Sequence, residues 1–451
     1  MVSRRTLRLA LAALLVVSVA GLAYGAATAP TTASADDVPR PEPRDGHTVV
    51  TESAKFGTIV AWRPNGSLLY YDDDRTKYFD VDPVENESLT VEYAATDTIH
   101  ASGPTCESPP CTRNVIERVN LSTGETREVY ARYDGRELAA EWHDHVRVDD
   151  ERILIADIVD DQVFLVNTTT ELVEWRWDAQ SDFPVEGGGP YPEDWAHIND
   201  VSLLDDGRVM VSLRNQDQVV FLDRETGLVD EWTLGSEGDY DTLYEQHNPD
   251  YIPPERGGPA VLVADSENGR IVEYQRVDPD SGEATTAADG VWERTWQWQD
   301  ARIQWPRDAD RLPNGHTLIA DTHGKRVVEV DREGAIAWSV PVSHPYDVER
   351  LETGPESAGG ESAARLGLES RTAEGSDGGG FDPLDLLSDL VTAVVPSRIV
   401  NGVIFLSPVW MGRPEFAAAL VGLGSALTWV GLELRWRLPD VGLRWPVYEK
   451  E

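Results

Sequence analysis

The chain has 451 residues, and its 80 acidic residues against 39 basic ones give a net charge of −41 at pH 7. No basic stripe is present that could neutralise phosphates, which excludes a nucleic-acid partner. A carboxylate-rich, lysine-poor surface stays soluble in concentrated salt because ions screen its self-repulsion, so we expect a halophilic protein. The 15 Trp and 14 Tyr argue against the alternative of an acidic disordered chain.

The N-terminus is basic and then apolar. Arg4, Arg5 and Leu7 resemble a twin-arginine export signal, and no charged residue follows from Leu9 to Ala35. We therefore predict that residues 1–35 form a signal peptide or an N-terminal membrane anchor. The small residues at 33–35 offer a cleavage site, and both alternatives stay open.

The two cysteines of the chain, Cys106 and Cys111, lie in one short loop. Outside the cell such a pair usually closes a disulfide, which we expect here. A metal site is the alternative, but it would need more ligands nearby. We expect neither a metal nor a cofactor.

Residues 48–348 consist of short apolar β-runs separated by turns rich in Asp, Gly and Pro. The runs repeat: an apolar strand ends in Asp, and five residues later a polar residue opens a second strand. The first strands of three copies are Arg152–Asp157, Ala260–Asp265 and His316–Asp321. Two further copies are Leu69–Asp72 with Lys77–Val81, and Met210–Leu213 with Gln218–Leu222.

A third strand, often ending in Trp, follows a Gly-containing turn in several copies. Recurring four-stranded sheets are typical of propeller blades, because radial repetition protects the strand edges. The stretch Cys106–Glu141 is predicted to add a degenerate blade. We expect an all-β propeller over residues 36–350 with six blades, five or seven being the alternatives.

The composition changes after Leu351. Residues 351–380 are rich in Gly, Ser, Glu and Ala and predict a flexible acidic linker. Residues 381–451 are apolar and membrane-associated, with a transmembrane helix at about 416–434. An interfacial or re-entrant segment is predicted over 386–412, a soluble docking helix being the alternative. Arginines precede the N-terminal apolar segment and follow the C-terminal one, and arginines of this kind usually lie on the cytoplasmic side. We therefore expect an anchor in the cell membrane with the propeller on the extracellular side.

The repeats also align the residues that open each inner strand. These are His143-Asp144, Asn199-Asp200, His247-Asn248, Arg307-Asp308 and His344-Pro345-Tyr346-Asp347. Equivalent positions of successive blades lie at one end of the propeller axis, so we expect these histidines and the arginine to converge. His197 lies two residues before Asn199, and a hairpin through Gly207 returns Arg214 to it. The set predicts an anion site.

Each residue also has a purely structural interpretation. His143 could form a His–Asp pair, His197 could be a satisfied core histidine, and Arg214 could pair with an Asp of the next blade. Residues 246–249 could simply form a turn, while Arg307 and His344 could shape strand entries. Trp296, Trp298 and Trp305 are typical of packing between blades, although one of them could stack on an aryl substrate.

The order of these motifs resembles that of the arylsulfate sulfotransferases. The motifs are Asp194-Trp195-Ala196-His197-Ile198-Asn199, Ser212-Leu213-Arg214-Asn215-Gln216, Gln246-His247 and Arg307-Asp308-Ala309-Asp310-Arg311-Leu312-Pro313-Asn314-Gly315. The resemblance spans about residues 142–330 and suggests a membrane-anchored, haloarchaeal-type member. It implies a six-bladed propeller that moves a sulfuryl group from a phenolic sulfate donor to a phenol acceptor through a sulfohistidine.

Site roles follow from the same resemblance. It implies that His247 is the nucleophile and that His143, His197 and Arg214 support catalysis. Arg307, His344 and Asn199 are expected to contact the substrate.

Two other functions stay open. A non-catalytic extracellular propeller that binds a glycan or protein partner would not need the His and Arg residues to meet. A calcium-dependent hydrolase of the lactonase type needs carboxylate and Asn ligands lining its channel, and the blade-opening positions are too basic for it. The natural donor and acceptor, and the oligomeric state, do not follow from the sequence.

Overall fold

The computed structural model describes residues 3–29, 34–54, 56–136, 140–372, 391 and 394–437. It contains two compact units: residues 33–378, and residues 1–32 together with 379–451. The larger unit is a six-bladed β-propeller in which every blade is an antiparallel sheet. The prediction of six blades is therefore confirmed.

Six sheets follow one another along the chain. Blade 1 contains β1 (Thr48–Glu52), β2 (Ile59–Trp62) and β3 (Leu68–Asp72), and blade 2 contains β4 (Lys77–Pro83), β5 (Thr90–Ile99), β6 (Cys111–Asn120) and β7 (Glu125–Asp134). Blade 3 contains β8 (Trp142–Arg147), β9 (Arg152–Asp157), β10 (Gln162–Asn167) and β11 (Leu172–Asp178). Blade 4 contains β12 (Ile198–Leu203), β13 (Val209–Leu213), β14 (Gln218–Asp223) and two short strands on β14, β15 (Gly227–Leu228) and β16 (Leu234–Gly235).

The last two blades complete the ring. Blade 5 contains β17 (His247–Ile252), β18 (Ala260–Asp265), β19 (Arg270–Val277) and β20 (Val291–Trp298). Blade 6 contains β21 (Pro306–Arg311), β22 (Thr317–Asp321), β23 (Arg326–Val330) and β24 (Ile336–Pro341). The final strand, β25 (Pro345–Arg350), pairs with β1 and becomes the inner strand of blade 1. The ring is thus closed by strands from both ends of the propeller sequence.

The core lies between the blades. Successive side chains of a strand point to opposite faces, so a blade covered on both sides reads as a continuous apolar run. In β9, Ile153 and Ile155 pack against blade 2, whereas Leu154 and Ala156 pack against blade 4. Each buried aliphatic side chain of this kind stabilises the fold by about 1.5–3 kcal/mol. This is why the repeats have apolar strands without alternation.

Two predictions about strand grouping are wrong. Leu69–Asp72 and Lys77–Val81 do not form one blade, because β3 is the outer strand of blade 1 and β4 is the inner strand of blade 2. Cys106–Glu141 does not add a separate blade, since β6 and β7 form the outer half of blade 2. A short turn between two apolar runs shows that strands are consecutive but not that they pair. Cys106 and Cys111 form the expected disulfide, with Cα atoms 5.9 Å apart.

The start of the predicted linker is packed on the propeller rather than flexible. Ser357 and Ser362 are completely buried, and the short helix α2 (Ala363–Leu366) begins at a cap in which Ser362 accepts a hydrogen bond from Arg365 N–H. Gly360 N–H donates to the carbonyl of Arg311 in blade 6 over 2.7 Å. Composition alone misses these contacts because each depends on a propeller surface that is distant in sequence. Residues 373–390 lie outside the described residues.

Within its described residues, the smaller unit forms the helices α1 (Arg4–Thr28), α3 (Ser397–Leu406) and α4 (Arg413–Arg437). Helices α1 and α4 are long and apolar enough to span a membrane, whereas α3 is shorter. Helices α1 and α4 pack together through small residues. A Cβ added to Gly21 would lie 3.7 Å from Ala418 Cβ, and one added to Gly422 would lie 3.1 Å from Ser18 Cβ. Small residues at such spacing let two apolar helices approach closely.

Candidate active site

A recurring β-bulge places the site residues at one mouth of the propeller. In β8, β12 and β21 the register shifts at the residue before an Asp, namely His143, Asn199 and Arg307. A bulged residue is unpaired in the ladder, so its side chain can be directed away from the sheet. Blade 5 has a longer irregularity, between His247 and Asp250. The repeated register shift thus brings one residue from each of these blades to the mouth.

The structure brings the predicted catalytic residues together. The ring centroids of His143 and His197 lie 5.0 Å apart, and both the His143 and His247 rings face Tyr346, at 5.5 and 6.4 Å. Arg307 lies over the Tyr346 ring, with Cζ 5.1 Å from its centroid. Three imidazoles and an arginine from blades 3 to 6 therefore surround one small region.

His247 has a defined tautomer. Its Nδ1 lies 2.8 Å from Ser266 Oγ, and that hydroxyl donates its own hydrogen to the carbonyl of Pro306 over 2.7 Å. Because Ser266 has only one hydrogen to donate, it must accept from Nδ1–H, which leaves the Nε2 lone pair of His247 free. Sequence reasoning missed Ser266, because a serine at the end of the next strand is unremarkable until that strand is paired with the one that carries His247.

The electrostatic surroundings keep His247 neutral. Burial, followed by the positive charges of Arg307 and Arg214, holds the pKa of His247 well below its ordinary value. Burial also lowers the pKa of His143, with a further contribution from His197. Neutral imidazoles are the forms that can attack an electrophile or share a hydrogen with an anion.

His197 is paired with a carboxylate. Its Nδ1 lies 2.6 Å from Asp194 Oδ1, so Nδ1–H donates and Nε2 faces away from the pair. Although burial alone would raise the pKa of Asp194, His197 and Arg214 hold that pKa below its ordinary value. A carboxylate fixed in this way orients the ring and stabilises its protonated form. His197 is therefore suited to moving a proton.

Arg214 lies beside His197, as the predicted hairpin requires. Its backbone N–H donates to the His197 carbonyl over 3.3 Å, where β13 meets β12. The alternative of an Asp partner is wrong in residue type, but the next blade does supply a carboxylate, because Nη2 donates to Glu245 over 2.6 Å. Its buried Nε has no partner among the described residues. One side of the guanidinium is thus anchored and the other is available to an anion.

Arg307 is the second cation of the mouth. Its Nη1 donates to Ser53 of blade 1, and its Nε has no partner among the residues that the structure describes. The guanidinium also lies over the ring of Trp305, with Cζ 4.4 Å from the centroid. Stacking on an aromatic ring fixes the plane of an arginine while its edge stays able to bind oxygens.

Asn199 and His344 have different surroundings from those of the catalytic set. Asn199 Nδ2 donates to the carbonyl of Gln246 over 2.9 Å, which holds the backbone beside His247. His344 lies before β25 rather than within it, 6.4 Å from the His323 ring, and its pKa is lowered to about 3 by burial, then by Lys325 and Arg307. Tyr346, and not His344, occupies the inner-strand position of blade 1.

The tryptophans separate into two groups. Trp296 and Trp298 belong to the buried core between blades 5 and 6. Trp305 lies at the mouth, with its ring centroid 5.8 Å from that of His247. Trp305 and Tyr346 therefore provide aromatic surface next to the imidazole, a role that the sequence had proposed only for one unspecified tryptophan.

The expectation that basic residues exclude a carboxylate-lined channel is wrong. Below the mouth, the residues lining a narrow central cavity are Asp80, Asp82, Asp144, Asp200, Ser202, Asn248, Asp250, Asp308, Asp310, Asp347, Glu349 and Glu356. The bulge separates the two environments, because the bulged residue turns to the mouth and the Asp after it turns into the channel. Two residues that are adjacent in the sequence, such as His143 and Asp144, thus line different sites.

Comparison with protein families matches residues 132–343 to the arylsulfotransferase (ASST) family. The matched segment contains blades 3 to 6 and therefore His143, His197, Arg214, His247 and Arg307. This agrees with the resemblance seen in the motifs. No curated protein matches the chain.

Similar solved structures are distant. A protein of unknown function from Bacteroides caccae is 12% identical, with a TM-score of 0.43, over 67% of this chain and 97% of its own. The periplasmic gluconolactonase PpgL of Pseudomonas aeruginosa is 13% identical, with a TM-score of 0.42, over 68% of this chain and 99% of its own. A virginiamycin B lyase from Staphylococcus aureus is 9% identical, with a TM-score of 0.37, over 66% and 85%. These likenesses are too weak to bear on function.

Proposed function

We propose that the protein is an aryl sulfotransferase that moves a sulfuryl group between phenolic compounds through a sulfohistidine at His247. The observation that carries the proposal is the meeting of three imidazoles and two guanidiniums at one mouth, with Nε2 of His247 free. The family match over the same blades supports it. A propeller that only bound a glycan or a protein would not require a histidine held in the nucleophilic tautomer.

In the first half-reaction, Nε2 of His247 attacks the sulfur of an aryl sulfate. An N–S bond forms as the S–O bond to the phenol breaks, and the departing oxygen takes a proton from His197. Arg214 and Arg307 bind the sulfuryl oxygens, and His143 donates a hydrogen bond to them. Preorganised donors aimed at such oxygens are worth about 10²–10³ in rate.

The second half-reaction reverses these steps with another phenol. His197 accepts the proton of the incoming hydroxyl, and the phenol oxygen attacks sulfur as the N–S bond breaks. Asp194 stabilises the protonated imidazole before the first half-reaction and after the second, and it orients the neutral ring between them. Trp305 and Tyr346 supply the surface on which the aryl ring of donor or acceptor packs.

We infer that α1 and α4 anchor the enzyme in the cell membrane, with the propeller on the extracellular side. The support is charge: Arg4, Arg5 and Arg8 lie at the start of α1, and Arg435 and Arg437 at the end of α4. Arginines accumulate on the cytoplasmic side of membrane helices. Phenolic substrates would then be met outside the cell.

The test uses the full-length protein in detergent and molar KCl, with a chromogenic aryl sulfate and added phenol. We expect phenol-dependent release of the chromophore by the wild type and none by His247→Ala. Without acceptor, the peptide that contains His247 should gain the mass of one sulfuryl group. His197→Ala should still form this adduct, but about 10²–10⁴-fold more slowly.

His100→Ala is the matched control, because His100 is exposed and takes part in none of the ring contacts or hydrogen bonds described for the mouth. It should behave as the wild type. If the folded wild type releases no chromophore with any of several donors and acceptors, the proposal is overturned and a binding propeller becomes the better explanation. If activity survives in His247→Ala, the sulfohistidine intermediate is rejected, but sulfuryl transfer itself is not.

A further inference from the structure

The central channel has an acidic lining that sulfuryl transfer does not use. Twelve residues line a cavity of about 30 Å³, and ten of them are carboxylates. No lysine or arginine is among these lining residues in the described part of the chain. A cavity of this size has room for an ion and a water molecule but not for an organic ligand.

Two rings of carboxylates arise from the period of the inner strands. Each inner strand has an Asp at the same level, and these are Asp80, Asp144, Asp200, Asp250, Asp308 and Asp347. Residues two positions apart in a strand face the same side. The second ring is therefore made by Asp82, Ser202, Asp310 and Glu349. Glu356, from the turn after β25, adds a further carboxylate.

Part of the first ring has a structural role. One carboxylate oxygen of Asp80, Asp144, Asp308 and Asp347 accepts a backbone N–H from the adjacent blade, at 2.7 to 3.3 Å. These bonds explain why an Asp recurs, but each uses a single oxygen. They do not involve the second ring, in which Glu349 accepts a hydrogen bond from the Ser357 hydroxyl.

Other carboxylate oxygens that line the cavity have no donor. Asp200 Oδ1, Asp250 Oδ2 and Asp310 Oδ2 are buried and find no hydrogen-bond partner among the described residues. Asp310 is only 3% exposed. A buried polar atom without a partner costs about 1–3 kcal/mol, and more when it is charged. Either a bound cation or protons shared between facing carboxyl groups must therefore satisfy these oxygens.

We propose that the channel binds a divalent cation, Ca²⁺, through the carboxylates of the two rings. Ca²⁺ takes six to eight oxygen ligands at about 2.3–2.6 Å, so its ligand atoms lie within about 5 Å of one another. Ligand oxygens of Asp80 and Asp144, two neighbouring members of the first ring, lie within 4.8 Å of each other. An all-oxygen lining with several carboxylates suits Ca²⁺ better than Mg²⁺, which keeps most of its water.

Shared protons are the competing way to neutralise such a cluster. They can satisfy a pair of facing carboxyl groups, but ten carboxylates around one cavity would need many of them at neutral pH. A single cation interacts with several carboxylates at once. It would join the inner strands of all six blades and remove negative charge from below the anion-binding mouth.

The test measures calcium binding to the full-length protein in detergent after removal of metals with a chelator. We expect equilibrium dialysis with radioactive calcium to show one tightly bound ion per chain, and Ca²⁺ to raise the melting temperature. The double variant Asp250→Asn and Asp310→Asn should weaken calcium binding about 100-fold or more. The loss of a residue that only hydrogen-bonds to a metal ligand already weakens metal binding by about 10–100-fold. This variant should melt no lower than the metal-free wild type, because it removes repulsion.

The trio Asp72, Asp73 and Asp74, of which the last two are exposed, supplies the control, since its carboxylates are equally close together. Asp73→Asn should bind calcium as the wild type does. Equal calcium binding by the channel variant, a cation effect limited to Mg²⁺, Na⁺ or K⁺, or no cation effect at all would overturn the proposal. None of these results depends on aryl sulfate turnover, so the two proposals fail separately.

Discussion

At the scale of single residues, the mouth depends on hydrogen bonds that assign each histidine a different state. Ser266 fixes the tautomer of His247, whereas Asp194 accepts a hydrogen bond from Nδ1–H of His197 and orients its ring. His143 is packed against the ring of Phe79, with centroids 4.6 Å apart, and its buried Nδ1 has no partner among the described residues. Three identical side chains are therefore suited to attack, to proton transfer and to binding oxygen.

The lowered pKa of His247 predicts the pH dependence of turnover. Because the imidazole takes up a proton only well below pH 6.5, kcat/KM should hold its value through pH 6 and fall at lower pH. Arg307→Gln removes a positive neighbour, so the pKa should rise and the acid limb should move to higher pH. Rates measured from pH 4 to 8 test both points. If kcat/KM of the wild type instead decreases around the ordinary pKa of histidine, both points are contradicted.

The same shift has a consequence for stability. An unfolded chain binds a proton at His247 near pH 6.5, whereas the folded protein does not until its lower pKa is reached. The free energy of unfolding therefore decreases as the pH falls from about 6.5 to the folded pKa, and does not decrease further below it on account of this group.

At the scale of strands and blades, one bulge per inner strand separates the two chemistries. The bulged residue faces the mouth and the next residue faces the channel, so His143-Asp144 and Arg307-Asp308 each contribute to both sites. The strands behind them are held by packing between blades. Because every blade is covered on both faces, damage to one interface affects two blades.

Leu154→Ala tests this packing. Leu154 is fully buried between blades 3 and 4, so we expect the free energy of unfolding to fall by about 2–5 kcal/mol. Leu172 lies in the same blade but is 64% exposed, and Leu172→Ala should change stability by less than about 0.5 kcal/mol. Denaturant unfolding in molar salt measures both. Similar losses for the two variants would show that the interface is not the source of stability.

At the scale of the whole molecule, helix pairing bears on the fate of the N-terminus. Within the smaller unit, Arg8 Nη2 donates to Glu433 Oε2 over 3.0 Å, and both Arg4 and Arg8 lie over the ring of Trp436. The N-terminal end of α1 thus lies beside the C-terminal end of α4. A signal peptide that was removed would take both arginines away from Trp436 and would leave Glu433 with Arg437 of its own helix as an ion-pair partner.

We therefore predict that residues 1–35 remain on the mature protein as a membrane anchor. Intact-mass measurement of the protein purified from membranes should give the full chain. An N-terminal tag should stay in the membrane fraction, and Gly422→Leu should reduce its retention by obstructing the close approach of α1 to α4. A mature protein that begins near Asp36 would show instead that the segment is a cleaved signal.

The sequence by itself determined the repeat, the propeller with six blades and most of the mouth. Strand periodicity and turn residues are local, and a repeated register carries His143, His247 and Arg307 to equivalent places whatever the details of packing. The same local pattern predicted that one hairpin brings Arg214 back to His197. It also identified the two apolar helices and the disulfide.

Only the tertiary structure decided which strands share a blade, which residues bound the cavity and which partner each histidine has. Blade 1 is completed by β25, some 270 residues from its other strands, and no local pattern encodes that pairing. Ser266 and Glu356 meet the site and the channel through contacts between distant segments. The division between a basic mouth and an acidic channel arises from the bulges, because a one-residue shift in register reverses the direction of a side chain.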